Sequence, residues 1–276
     1  MTQEGSHQRR QVSRGLIVAI VAVVIVALGI VGWIVLPGWL TPVPQPTPVA
    51  LVTPAPSVPP EPSVTPTPSV TPTPTPPEPK SYDVANLSRS VPRYDKPDGK
   101  VVGTVKGDWD GWPSILPIID KKPGWLRVRL QFRPNEDTAW IKAQGIKITT
   151  TPYRILVDTK KHNLTLYKAG KIVLTAPVGV GKKSTPTPKG HYFVAFLQPP
   201  LSSGYAPIML FLSAHSTAIK SWQGSGDAIT AIHGPVGSDA RIGTKGAAIS
   251  NGCIRMHKAD LTKLKKVLPG SPVDIV

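Results

Sequence analysis

Hydrophobic and polar positions divide the chain into stretches of different character. Residues 15 to 36 (GLIVAIVAVVIVALGIVGWIVL) are uninterrupted by charge. At 1.5 Å per residue such a run makes a helix of roughly 33 Å, enough to cross a hydrocarbon core of about 30 Å, so a membrane span is predicted. The competing reading is a cleaved signal peptide. Its apolar region would typically run about 7–15 residues and end at a small-residue cleavage site, neither of which fits well. Beyond the span, alternation replaces continuity. In Gly124 to Leu130 (GWLRVRL) the apolar Leu126, Val128 and Leu130 alternate with Arg127 and Arg129, as in a half-buried strand. Turn chemistry recurs at Lys96 to Gly99 (KPDG) and Lys122 to Gly124 (KPG), and Thr138 to Lys142 is a further strand. Short strands between such turns predict a small barrel over residues 81–151.

From Pro152 onward the pattern is again mainly β. Strands are expected at Tyr153 to Asp158, Leu164 to Tyr167, Lys171 to Val178, Gly190 to Phe196, Ala228 to His233 and Pro272 to Val276, with a hairpin at Lys168 to Gly170. One helix is predicted, Ala259 to Leu268, with Leu261, Leu264 and Leu268 on one face and a stop at Pro269-Gly270. The fold class is mainly β, α+β at most.

Composition changes the picture in the segment from Thr41 to Pro79, a proline and threonine tract that cannot form a packed core. Proline fixes φ and removes donors, so extended polyproline II is expected, and at about 3.1 Å per residue the tract could reach on the order of 100 Å. It reads as a spacer that lifts a head away from the membrane, or as a plain tether. The expected organisation is a cytoplasmic tail over 1–14, an anchor over 15–36, an extracellular Pro/Thr-rich linker over 37–80, a β module over 81–151 and a second β domain over 152–276. Arg9, Arg10 and Arg14 precede the span and no basic residue follows it closely, so the positive-inside rule keeps the tail in the cytoplasm and exports the rest.

The formal charge of +16 falls almost entirely in residues 80–276. A basic exported head is drawn to polyanions, and anionic wall polymers, peptide carboxylates and the membrane surface are the natural candidates. Nucleic acid is disfavoured by the compartment and by the lack of a recognition-helix or RNA-binding signature.

The chain has one cysteine, Cys253, in the heptapeptide SNGCIRM (Ser250 to Met256), downstream of Ile232-His233-Gly234. An unpaired thiol in an exported protein is either an accident or a nucleophile. A free cysteine has a pKa near 8.5, so a catalytic one needs a cation, a base or backbone N–H groups close by. His233 is the candidate base, with Gly234 leaving access around the imidazole. Gly252 allows a tight turn, and the N–H groups of Gly252 and Cys253 could form an oxyanion hole. Arg255 carries a fork suited to a carboxylate. Together these side chains form a kit for acyl transfer on an acidic peptide.

The segments IHG…SNGCIRM, VGVGKKSTPTPKGHYFV and SAHS resemble the catalytic domain of the L,D-transpeptidases, the YkuD-like family, over nearly all of residues 153–276. The resemblance implies a β-sandwich-type catalytic domain with a short helix after the cysteine motif. It implies that Cys253 attacks the bond between the third residue and the terminal D-Ala of a peptidoglycan stem tetrapeptide, with a second stem's amine resolving the acyl-enzyme into a 3→3 cross-link. Cys253 would be nucleophile, His233 base, and Ser250, Gly252 and Arg255 the surrounding motif; no metal or organic cofactor is implied. Asn251 stands where many members carry His or a basic residue, which leaves the proton-carrying role to His233. Residues 81–151 resemble the bacterial SH3-like modules that precede cell-wall catalytic domains, in PDGKVVGTV and PGWLRVRL…RPNEDTAWI.

Alternatives accompany each reading. Trp109, Trp112, Trp125 and Trp140 could line a groove, with packing the more common use. Ser250 could orient the site or hold a turn. His215 could line the pocket or serve a structural hydrogen bond, and His162, His191 and His257 read as structural or surface. The same site could hydrolyse the acyl-enzyme, as an L,D-carboxypeptidase, or be degenerate in a non-catalytic wall-binding protein. Papain-like and NlpC/P60-type peptidases are disfavoured because there the cysteine precedes its histidine.

Overall fold

The computed structural model describes residues 77–276; the expected span over 15–36 and nearly all of the Pro/Thr-rich linker lie outside them. Among the described residues no helix is long and apolar enough to cross a membrane.

Residues 82–151 form β1 (Tyr82–Asn86), β2 (Val91–Tyr94), β3 (Val101–Val105), the short hairpin β4 (Asp108–Trp109) and β5 (Trp112–Pro113), β6 (Ile115–Lys122), β7 (Trp125–Arg129), β8 (Thr138–Lys142) and β9 (Lys147–Thr151). All but the short hairpin join one seven-stranded antiparallel sheet in the order β3-β2-β8-β7-β6-β1-β9. The alternation in β7 does what the sequence pattern requires: Leu126 and Val128 are buried while Arg127 is exposed.

The second sheet comprises β10 (Tyr153–Asp158), β11 (Asn163–Lys168), β12 (Lys171–Gly181), β13 (Gly190–Gln198), β14 (Met209–His215), β15 (Ile229–His233), β16 (Ala248–Ser250), β17 (Ile254–Met256) and β18 (Pro272–Ile275). Its order is β11-β10-β18-β13-β14-β15-β17-β12-β16, and β11 also pairs with β12. That pairing closes the sheet on itself, with β16 alongside. The expected β-sandwich is therefore replaced by a closed barrel, in which the long β12 serves both ends of the ring. Closure leaves few free edges and gives Ile155, Val157, Leu164, Val194, Leu210, Leu212, Ile232 and Ile254 a common interior. Strand β14 was not expected. Its run MLFLSAH is buried nearly throughout, so it lacks the alternation that marks a half-buried strand.

The predicted helix is shorter than its leucine spacing implied. Among the described residues the one α-helix, α1 (Lys258–Lys263), tightens into a 3-10 turn at Leu264–Lys266. Leu261 and Leu264 are fully buried, but the tighter turn and the extended backbone that follows shift the register, so that Val267 is buried and Leu268 is 45% exposed.

Strand β13 joins the two sheets. Its side chains alternate between two interiors: Tyr192 and Val194 belong to the barrel core, whereas Phe193 and Ala195 pack with Leu116, Leu126 and Val128 of the first sheet. A register shift between Val194 and Phe196 puts Phe196 in that second core as well. Trp109 fits edge-on against Phe196 and lies over His215, and Trp112 stacks on Phe196. Trp125 and Trp140 are buried in the first sheet, so packing is what these two and Trp109 do, while Trp112 keeps an exposed face. A buried Thr151–Ser271 hydroxyl pair and a hydrogen bond from the His191 N–H to Glu136 reinforce the joint.

Replacing Leu264 by Ala should cost about 2–5 kcal/mol, as core truncations do. Replacing Leu268 should change stability by no more than about 0.5 kcal/mol. Urea denaturation of the two variants reads the difference, and equal losses would contradict the altered helix register.

Candidate active site

Strands β15 and β17 run parallel and adjacent, with Ile232 opposite Ile254 and His233 opposite Arg255. Residues directly opposite in a sheet share a face, and alternate residues change face. Ile232 and Ile254 therefore point into the barrel core, while His233 and Arg255 share the other face with Ala231 and Cys253. The apolar pair in the core holds the polar pair on the opposite face, at the cavity.

Cys253 sits at the end of a turn from Ser250 to Ile254 whose shape is specified by side chains as well as backbone. Gly252 takes φ of +122°, where an L side chain would be strained. The Ser250 hydroxyl accepts the Gly252 N–H at 3.1 Å and donates to the Cys253 carbonyl. Ser250 thus holds the turn. Its bond also engages the Gly252 N–H, which withdraws that group from the expected oxyanion pair and leaves the Cys253 N–H. Thr187, not singled out in the sequence, braces the turn from outside. Its hydroxyl donates to the Gly252 carbonyl and accepts the Gly181 N–H, each at 2.9 Å. It lies in STPTPKG, within the motif block, but one threonine in a Thr-Pro run carries no signal of its own. Asn251 is exposed and near Thr185, whose hydroxyl lies 3.5 Å from its side-chain oxygen.

His233 closes β15 and is only 3% exposed. Its Nδ1 donates to the Gly234 carbonyl at 2.7 Å, which leaves Nε2 as the unprotonated nitrogen of the neutral ring. Burial, aided by the Arg255 charge, lowers its pKa to about 4, although the Gly234 bond works the other way. Gly234 does not open access around the imidazole. A Cβ there would meet the Gly204 and Ala206 carbonyls at 2.6 and 2.4 Å, so its bare backbone admits the 204–206 segment, whose Tyr205 ring packs 4.7 Å from that of His233.

Cys253 is half-buried as a residue, whereas the surroundings of its sulfur are densely filled. The filled surroundings govern its ionisation: burial pushes the thiol up, against the opposing pull of the Ala231 backbone and the Arg255 guanidinium. Arg255 spends Nη1 on the Ser238 hydroxyl at 2.9 Å, while its Nε is buried without a protein partner. Burial lowers its pKa from the ordinary arginine value.

Two cavities meet at Cys253. The larger, about 140 Å³, takes in His233, Ser250, Asn251 and Arg255 together with Tyr205 and Phe211. The smaller, about 70 Å³, is lined by Ser216, Ile219, Trp222, Ala228 to Thr230 and Asn251 to Cys253. Trp222 and Ile229 stand in the wall of both. Cys253, His233, Arg255, Ser250 and Asn251 are thus gathered at the larger cavity, with Gly252 in the wall of the smaller. His215 is elsewhere. It is fully buried, with Nε2 donating to the Gln131 carbonyl at 2.9 Å and Nδ1 2.7 Å from Asp227, off the hydrogen-bond line. His191 and His257 contact Asp274 and Asp239 respectively. Among the described residues no group of three His, Cys, Asp or Glu side chains is placed to hold a metal ion.

The family model for the L,D-transpeptidase catalytic domain, YkuD, matches residues 152–275. The YkuD protein of Bacillus subtilis is 32% identical over 146 residues, 51% of this chain and 79% of the relative. That of Bacillus licheniformis is 35% identical over 127 residues, 46% of this chain and 67% of the relative. The chain belongs to the YkuD family of L,D-transpeptidases. Among solved structures, an Enterococcus faecium L,D-transpeptidase mutant overlaps 45% of this chain and 49% of its own at 21% identity and a TM-score of 0.35. A Mycobacterium smegmatis L,D-transpeptidase overlaps 58% and 82% at 17% identity and a TM-score of 0.36. The overlap thus spans about half the length of the Enterococcus faecium protein. The YkuD domain coincides with the closed barrel and contains both strands that carry the site.

Replacing Thr187 by Val keeps the shape but leaves the Gly252 carbonyl and the Gly181 N–H without their partner. A stability loss of about 1–3 kcal/mol is expected, with slower alkylation of Cys253. Thermal unfolding and iodoacetamide labelling measure the two; unchanged labelling would show that the brace does not hold Cys253.

Proposed function

We propose that this protein is a membrane-anchored peptidoglycan L,D-transpeptidase whose nucleophile is Cys253. The observation that carries the reading is the meeting of thiol, neutral imidazole and partly unpartnered guanidinium in one cavity, with a second cavity opening on the same thiol. The membership shown above supports the reaction class, and peptidoglycan stem peptides are the corresponding substrates. No cofactor enters the mechanism.

Burial disfavours charge on both partners, so the resting pair is a neutral thiol and a neutral imidazole. As the sulfur attacks the carbonyl carbon between the third stem residue and D-Ala, its proton passes to His233 Nε2. The Cys253 N–H is the main-chain donor available to the developing oxyanion. Collapse breaks the C–N bond, and D-Ala leaves with the proton from His233. The amine of a second stem then attacks the thioester, loses a proton to His233, and the sulfur departs as an amide cross-link forms. Arg255 receives the stem carboxylate through the nitrogens not held by Ser238.

Two cavities favour transfer over hydrolysis, since an acyl group lying in one leaves the other for an amine. Hydrolysis by the same site, as a carboxypeptidase, differs only in the nucleophile that resolves the thioester. The non-catalytic wall-binding reading is disfavoured by the braced Cys253 turn and by the oriented tautomer of His233. Residues 81–151 belong in this proposal as an SH3-like module and 152–276 as the catalytic domain. Residues 15–36 are the anchor and 37–80 the spacer, which place the head outside the cytoplasmic membrane, in the cell wall. Its basic surface would favour anionic wall polymers.

Intact mass spectrometry of the protein with a defined disaccharide-tetrapeptide should show an acyl adduct, D-Ala release and a cross-linked dimer, all absent in Cys253→Ala. A persisting adduct in that variant would eliminate this nucleophile, and tripeptide alone would indicate the hydrolase. Protonation of His233 removes the base, so activity is lost as pH falls through about 4, well below the ordinary value of 6.5. The kcat/KM profile should be level from about pH 5 to neutrality. An acid limb centred at 6.5 would contradict the buried neutral imidazole.

A further inference from the structure

The wall of the smaller cavity is held from outside the YkuD domain. The loop between β7 and β8 crosses to the segment 216–228 that links β14 to β15. Arg133 Nε donates to Asp227 Oδ1 at 2.9 Å, and its Nη2 donates to the main-chain oxygens of Ser216 at 3.0 Å and Ile219 at 3.3 Å. Asn135 brackets the backbone of His215, donating to its carbonyl and accepting its N–H, both at 2.8 Å. The segment is shaped by its own bonds as well. Ser216 Oγ accepts the N–H groups of Ala218 and Ile219, and the Asp227 carbonyl accepts that of Trp222. Burial would raise Asp227, but the Ala228 N–H, His215 and Arg133 together hold its carboxyl below the usual value, so it remains charged.

Arg133 and Asp227 have side chains 41% and 30% exposed, and an isolated pair of that kind contributes little. The geometry here is different. One planar guanidinium reaches acceptors near both ends of a single segment, so it fixes the shape of that segment rather than adding a separate attraction. Ser216, Ile219 and Trp222 on the pinned segment line the cavity opposite Asn251 to Cys253.

We propose that Arg133 is a positioning residue for acyl transfer: by pinning Ser216, Ile219 and Asp227 it sets the wall of the smaller cavity, where the amine-bearing stem peptide enters. This rests on the two-substrate reading above. The assignment of the substrates follows from the linings. Arg255 and His233 suit the larger cavity to the donor with its terminal carboxylate. Ile219 and Ala228, with the shared Trp222 and Ile229 beside them and no charged side chain in the lining, suit the smaller to the aliphatic part of an amine side chain.

The test uses the full chain with Arg133→Ala and Arg133→Lys. In the Ala variant, amide exchange of residues 216–228 should quicken by about tenfold while β15 and β17 are unchanged, and KM for the acceptor amine should rise by about tenfold. Formation of the acyl adduct from the donor should keep its rate, and Arg133→Lys should recover only part of the loss. A merely structural residue would lower Tm and slow both half-reactions together, and that outcome, or unchanged exchange in the segment, overturns the inference. If the wild-type protein performs no transfer, the proposed function falls, and the inference is then decided by exchange and by labelling of Cys253. A bulky maleimide should gain on iodoacetamide in the Ala variant, and equal ratios in the two proteins would overturn the inference.

Discussion

The parallel pairing of β15 with β17 is the constraint on which the site depends. β15 ends at His233 and β17 begins at Ile254, and their register puts Ile232 beside Ile254 and His233 beside Arg255. Because alternate residues of a strand change face, burying the isoleucines in the barrel obliges the histidine and the arginine to face the cavity. A slip of one residue would bury the imidazole in the core and expose an isoleucine. The hydrophobic effect that stabilises the barrel therefore also selects the geometry of the site.

Electrostatics follow from the same packing. Cys253 and His233 both lie where solvent is displaced, and desolvation acts oppositely on a thiol and an imidazole, raising one pKa and lowering the other. Both shifts favour the uncharged form. The Arg255 charge adds to the effect on His233 and opposes it on Cys253, so this one guanidinium tunes both partners while Ser238 steadies it. Backbone carbonyls supply what remains. Gly234 orients the ring, and Ser250 and Thr187 hold the turn that presents the sulfur.

Strand β13 explains why the N-terminal sheet matters to the barrel at all. Its alternating side chains serve two cores, so neither sheet can shift without disturbing the other. Fully burying a side chain such as Phe193 stabilises by roughly 1.5–3 kcal/mol, and that contribution is made only when both sheets are in place. The polar ties from Gln131, Arg133 and Asn135 lie at the end of this joint nearest the cavities. A module with no reactive group of its own is thereby connected to the wall of the site.

The sequence by itself determined the chemistry of the parts. A lone cysteine that follows a glycine and stands two residues before an arginine, a histidine at a strand end and the family's motif order are local features, and they singled out Cys253, His233 and Arg255 as candidates. Alternation likewise located β7, because it has one wet and one dry face. The tertiary structure decided what local pattern cannot encode. Strand β14 is dry on both faces and lost its signature, and the pairing of β11 with β12 turned an expected sandwich into a closed barrel. Leu268 had the right spacing, yet the 3-10 turn gave its place to Val267. The Gly252 N–H was engaged by Ser250, Gly234 served a backbone contact rather than open space, and Thr187 gained its role from a turn distant in sequence. Each of these depends on which atoms long-range packing brings within hydrogen-bond or van der Waals reach, and spacing along the chain does not carry that information.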